Sequence, residues 1–137
     1  MSAEDAPHAP CVLVVDDNRA LQQLAAYVLK SAGLRVVTAG HGLEALEVLA
    51  AEPETRLVIT DLEMPHLDGF GLLHRIREQS GPPTLIVTAR GRPEDVQEAA
   101  RLGAAGVVKK PFSRGQLLAA AGPFLPDLPL APGADSA

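Results

Sequence analysis

Five short runs of apolar, β-branched residues recur along this chain, at 11–15, 34–38, 56–60, 84–88 and 106–108, and no other feature constrains its fold as strongly. Val12-Leu13-Val14-Val15 and Leu85-Ile86-Val87 do not alternate apolar with polar residues. A strand with one wet face alternates, so these runs predict strands covered on both faces. The segments between them carry a helical period. Leu21, Leu24, Ala25, Val28 and Leu29 fall on one face of a helix that Gly33 is expected to stop. Ala45, Leu46 and Leu49 mark a second helix, and Leu72, Leu73 and Ile76 a third. Val96, Ala99 and Ala100 mark a fourth, with Pro93 in its first turn, and Leu117, Leu118 and Ala121 a short fifth. Strands alternating with helices predict an α/β fold, a parallel sheet between two helical layers.

Composition narrows the class. At 137 residues the chain has the size of one domain. Aromatic residues are only 3%, so the core must be aliphatic. A net charge of −5 argues against nucleic acid as a partner of this domain, because phosphate backbones demand clustered Lys and Arg. The single cysteine, Cys11, excludes an internal disulfide and a Cys-based zinc site. No apolar run approaches the roughly 20 residues of a membrane span, and the first ten residues lack the pattern of a signal peptide. A cytoplasmic protein without membrane contact is expected. Residues 1–10 read as a disordered extension and 11–121 as the folded domain. Residues 122–137, with Pro123, Pro126, Pro129 and Pro132, read as a Pro-rich tail or linker stub.

In open parallel sheets, ligands bind outside the carboxyl ends of the strands. Asp16 and Asp17 follow the first strand, Asp61 the third, and Lys109 and Lys110 the fifth, while Thr88 closes the fourth. Three carboxylates gathered in one cleft repel one another unless a cation intervenes. Mg²⁺ suits them, because it prefers hard oxygen ligands. Asp17 and Asp61 are the candidate direct ligands. Asp16 would act directly or through water, and the backbone carbonyl of Glu63 would add another oxygen. With metal present, Asp61 can attack a phosphoryl donor and form an aspartyl phosphate. Phosphoryl transfer needs mostly positioning and charge neutralisation. The metal would take one phosphoryl oxygen, Lys110 a second, and the Thr88 hydroxyl with the Ala89 N–H the third.

The stretches Val14-Val15-Asp16-Asp17-Asn18, Asp61-Leu62-Glu63-Met64-Pro65 with Asp68-Gly69, Thr88-Ala89, Gly103-Ala104 and Lys110-Pro111-Phe112 carry a family resemblance. Together and in this order they resemble a response-regulator receiver domain of two-component signalling, over about residues 11–121. The resemblance implies a flavodoxin-like (βα)5 fold with strand order 2-1-3-4-5. It implies that Asp61 is the phosphoacceptor, served by a histidine kinase or histidine phosphotransfer protein, with Mg²⁺ (or Mn²⁺) bound. Small acyl phosphates would be alternative donors, and Lys110–Pro111 would be a cis peptide. Such a domain catalyses its own phosphorylation and dephosphorylation and turns over no external substrate. Its output would be contact between the surface of the fourth helix, fifth strand and fifth helix and a target protein or fused output domain. A dimer through the fourth helix is compatible with that. Receivers often carry Tyr or Phe three residues before the lysine; here Val107 stands there, without a ring to swing inward beside Thr88. The two positions that modulate phosphate loss align with Glu63 and Arg90, whose opposite charges are expected to pair across the mouth of the site.

Other readings compete. Asp68 is expected to cap the third helix rather than bind metal. His8, His41, His66 and His74 have no metal-ligand spacing, and Cys11 at the start of a strand reads as a core residue. An aspartate-nucleophile phosphatase needs a second acid two residues after the nucleophile. Glu63 has that offset, but Met64-Pro65 departs from the phosphatase motif. A phosphate-independent docking receiver is the alternative that Val107 favours. Flavin phosphate would be repelled by the three acids.

Overall fold

The structure, a computed structural model, describes residues 11–125. The elements are β1 (Cys11–Val15), α1 (Arg19–Ser31), β2 (Arg35–Ala39), α2 (Gly42–Ala51), β3 (Thr55–Asp61), α3 (Gly69–Glu78), β4 (Thr84–Thr88), α4 (Pro93–Arg101), β5 (Gly106–Lys109) and α5 (Arg114–Ala121), followed by a 3-10 turn at Gly122–Phe124. The sheet order is β2-β1-β3-β4-β5, and every pairing is parallel. This is the flavodoxin-like order that the motifs imply.

The unbroken apolar runs are explained by helices on both sides. Successive strand residues point to opposite faces. Val12 and Val14 of β1, with Leu57, Ile59, Leu85 and Val87, pack on Ala25, Val28 and Leu29 of α1 and on Leu117, Leu118 and Ala121 of α5. Leu13, Val15 and Val58 pack on the other face, against Ala45 of α2 and Leu72 and Ile76 of α3. A third cluster joins Leu62, Ile86 and Ala99, with Phe70, Ala104 and Val107 partly buried around it. Each large side chain buried in this way contributes about 1.5–3 kcal/mol.

Local signals bound the helices, among them the Asp68 cap and the Gly33 stop that the sequence suggests. The Asn18, Asp68 and Ser113 side chains accept hydrogen bonds from the Leu21, Gly71 and Gln116 amides, and Gln116 completes a capping box. Gly33 adopts φ 91° just past α1 and Gly103 φ 88° past α4, a left-handed backbone that favours glycine.

Three expectations need correction. The buried face of α1 is made by Gln22, Ala25, Ala26, Val28 and Leu29, and Leu24 is 48% exposed. The helix is rotated so that the Gln22 amide can donate to the Asp16 and Ala39 carbonyl oxygens, which satisfies it inside. On α4, Val96 and Ala100 are exposed, while Ala99 and the acid Asp95 are buried. Finally, the packed chain continues past residue 121: Phe124 and the buried Leu125 join the cluster under α1 and α5. Gly122–Phe124, with Pro123 in the middle, form a short 3-10 turn instead of an extended tail. The extension at 1–10 and the tail from 126 lie outside the described residues.

Candidate functional site

The carboxyl ends of β1, β3, β4 and β5 meet at one edge of the sheet, and the loops after them hold the polar residues. Asp16 is buried beyond β1; its N–H donates to the Ala39 carbonyl, and its Oδ1 accepts from the Asn18 amide at 2.8 Å. Asp17 is exposed beside it. Asp61 is the last residue of β3 and not the first beyond it, paired in register with Val87, and its Oδ1 accepts from the Leu62 N–H at 2.7 Å. Carboxylate oxygens of Asp16, Asp17 and Asp61 all lie within 4.8 Å of one another. Lys110 reaches between two of them, with Nζ 2.8 Å from Asp16 Oδ2 and 3.5 Å from Asp61 Oδ2.

The charges do not balance. Three acids face one ammonium, and burial pushes the Asp61 carboxyl above its ordinary range. Lys110 opposes that shift, and the Asp16 charge adds to it. A cluster of hard oxygen donors carrying surplus negative charge fits Mg²⁺. It does not fit a soft metal, since among the described residues His41, His66, His74 and Cys11 are not part of the cluster. The same surplus disfavours the phosphate of a flavin.

Thr88 is buried at the end of β4, and its Oγ1 accepts from the Arg90 N–H at 2.9 Å. A hydroxyl that accepts one bond keeps a hydrogen to donate. Ala89 is exposed next to it. Lys110 is tied to the same strand by its backbone N–H, which donates to the Thr88 carbonyl at 2.9 Å, and its bond to Pro111 is cis. Lys109 is exposed on the outer side. Val107 packs beside Ile86 and Ala99 under α4. Gly69 opens α3 in close contact with β3: its N–H donates to the Leu62 carbonyl at 2.8 Å, and a Cβ there would stand 2.5 Å from the Asp61 carbonyl oxygen.

Arg90 and Glu63 do pair, at 3.3 Å, but the stronger partner of Arg90 is one that sequence reasoning missed. The guanidinium Nε and Nη2 donate to Asp95 Oδ2 and Oδ1 at 3.1 and 3.2 Å, and Arg92 Nε reaches the same Oδ2 at 3.2 Å. Asp95 stands in the first turn of α4, where an acid is ordinary helix chemistry, so nothing in the sequence separated it from Glu94. The structure does: Asp95 is buried and Glu94 exposed.

The profile of the family described as Response regulator receiver domain matches residues 12–122. The chain belongs to this family. As a receiver domain it is similar to the probable chemotaxis protein CheY of Rhizobium etli, with 37% identity over 80% of this chain and 87% of that one. It is also similar to the probable transcriptional regulator ycf27 of Cyanophora paradoxa, with 39% identity over 77% of this chain and 44% of the relative. This receiver domain thus spans less than half the length of several transcriptional regulators it matches. Among solved structures, chemotaxis protein CheY4 of Vibrio cholerae superposes with a TM-score of 0.80 at 34% identity, covering 85% of this chain and 99% of that one. The CheX-CheY-BeF3-Mg+2 complex from Borrelia burgdorferi gives 0.79 at 25%, covering 83% and 87%. Receiver domains belong to two-component signalling. Among the described residues no helix of this one is long and apolar enough to cross a membrane.

Proposed function

We propose that this receiver domain takes a phosphoryl group onto Asp61 from a phosphohistidine of a histidine kinase or histidine phosphotransfer protein. An Asp61 oxygen attacks phosphorus, the phosphorus–nitrogen bond to the donor breaks, and the donor imidazole leaves with a proton. The observation that carries this reading is the meeting of three carboxylates within 4.8 Å, with Lys110 bridging Asp16 and Asp61.

Asp16, Asp17, Asp61 and the Glu63 backbone carbonyl would hold Mg²⁺, or Mn²⁺, which supplies positive charge against the phosphoryl oxygens. Lys110, already between two carboxylates, would shift towards a phosphoryl oxygen as a movable point charge. Thr88 would donate its free hydroxyl hydrogen to another, alongside the Ala89 N–H. Burial makes the Asp61 carboxylate a stronger base than an exposed one, which favours attack once its charge is compensated. The Mg²⁺ and beryllium fluoride named for the Borrelia burgdorferi complex support the reading by analogy.

Phosphorylation would then bias the contacts of a downstream target protein or an attached output domain. The surface of α4, β5 and α5 would make those contacts, in a cytoplasmic signalling chain. Val107 carries no ring, so the signal would travel through Thr88 and its loop. The test is intact-protein mass after incubation with Mg²⁺ and a small acyl phosphate. The expected result is a gain of about 80 Da, one phosphoryl unit, that disappears in Asp61→Asn and without Mg²⁺. A folded protein that gains nothing from either a small donor or a phosphorylated histidine kinase refutes the reading.

A further inference from the structure

Arg90 spans the gap between the two loops that flank Asp61. Its backbone N–H binds Thr88, one guanidinium nitrogen faces Glu63 in the β3–α3 loop, and the other two grip Asp95 in α4. The two ion pairs are not equal. Glu63 is 63% exposed and makes a single contact at 3.3 Å, the geometry of a surface pair that water and salt weaken. Asp95 is 8% exposed and receives two parallel N–H bonds, the fork that only a guanidinium can offer a carboxylate. Arg92 closes over the same carboxylate, so Asp95 cannot turn to solvent without abandoning two cations.

We propose that Asp95 is a positioning residue for the chemistry at Asp61: it holds Arg90 across the mouth of the site, and through Arg90 it sets the lifetime of the aspartyl phosphate. This rests on the phosphorylation proposed above. In hydrolysis a water oxygen adds to phosphorus and the bond from phosphorus to the Asp61 oxygen breaks. The products are the Asp61 carboxylate and inorganic phosphate, with the water's surplus proton released. Arg90 joins the β3–α3 and β4–α4 loops that flank Asp61, so its guanidinium can obstruct a water that approaches between them. A guanidinium anchored on a buried acid stays in that passage; one held by Glu63 alone would spend most of its time in solvent. The arrangement also ties the Thr88–Arg90 backbone to the first turn of α4.

The experiment loads the full chain with a small acyl phosphate and Mg²⁺, removes the donor, and follows loss of the phosphoryl mass. Wild type is compared with Arg90→Ala, Asp95→Asn, the double variant and Glu63→Gln. Arg90→Ala and Asp95→Asn are each expected to shorten the half-life by about threefold to tenfold, the range of one lost ion pair. The double variant should be no faster than the faster single one, and Glu63→Gln should change the half-life least. A purely structural role for Asp95 would not make its effect vanish in an Arg90→Ala background. Arg90→Lys keeps the charge but not the fork and leaves Asp95 paired with Arg92. It should resemble Arg90→Ala, and it reads the same interaction if Asp95→Asn fails to fold. A half-life in Asp95→Asn or Arg90→Lys equal to wild type overturns the proposal, as do single effects that multiply in the double variant. Absence of phosphoryl uptake by wild type would instead refute the parent reading, and this one with it.

Discussion

Replacing Gly69 by Ala tests how the fold holds the candidate phosphoacceptor. A Cβ on Gly69 would lie 2.5 Å from the Asp61 carbonyl oxygen and 2.8 Å from Leu62 Cα. Both are backbone atoms, so no side chain can swing aside. Restoring an ordinary contact of 3.4 Å requires the start of α3 and the Asp61–Leu62 peptide to separate by roughly 0.9 Å. That movement stretches the 2.8 Å bond from the Gly69 N–H to the Leu62 carbonyl and disturbs the Leu62 N–H that holds Asp61 Oδ1. Forcing an extra carbon into such a contact costs about 1–3 kcal/mol. Alanine's better helix propensity returns at most about 1 kcal/mol, and less at a first helical position. The net expectation is a destabilisation of about 1–2 kcal/mol, or a fall in Tm of about 4–10 °C for a domain of this size. Urea unfolding should show a lower midpoint with an unchanged slope, since the exposed surface hardly changes. Phosphoryl uptake should fall further than stability alone explains, because Asp61 itself is displaced. A variant with the wild-type midpoint and wild-type uptake would refute the claim that this close approach positions Asp61.

Two further predictions follow from burial and charge. Asp61→Asn, without Mg²⁺, should raise Tm at neutral pH: burial lifts the Asp61 pKa in the folded state above its unfolded value, so the ionised carboxylate opposes folding once pH exceeds the folded pKa. The gain should shrink as pH falls through that pKa and vanish below the unfolded one, and a pH-independent difference between the two proteins would count against it. Leu125→Ala should cost about 2–5 kcal/mol in urea unfolding, as for other buried leucines, whereas Leu24→Ala on the exposed side of α1 should cost well under 1 kcal/mol. Equal costs would contradict the helix face and the domain limit described above.

Much of this architecture was legible from the chain. The two apolar runs without alternation, Val12–Val15 and Leu85–Val87, pointed to strands buried on both faces, because such a run has no residue to offer water. The first and fourth strands match the observed bounds, and the other three fall within one residue of them. Asp68 announced the start of α3 through its own side chain, whereas the caps Asn18 and Ser113 were recognised only in the structure. The motif residues were legible for a different reason: in a parallel α/β sheet, chemistry gathers at the carboxyl ends of the strands, so residues at those ends share one place however far apart they lie in sequence.

What sequence could not decide were the quantities that depend on how elements rotate and seat against one another. The helical period of α1 allowed Leu24 inward, but burying Gln22, whose amide finds two carbonyl acceptors, turned Leu24 out. Prolines after residue 122 argued against regular structure, yet one 3-10 turn suffices to return Leu125 to the core. Asp95 looked like any first-turn acid until packing buried it beneath two arginines. The sequence by itself therefore determined which residue types stand at each strand end, because strand and helix periods are local properties of the chain. Only the tertiary structure decided which carboxylates share Lys110, how near they lie, and which acid holds Arg90. Those distances arise from packing between elements up to 94 positions apart, which no local pattern records.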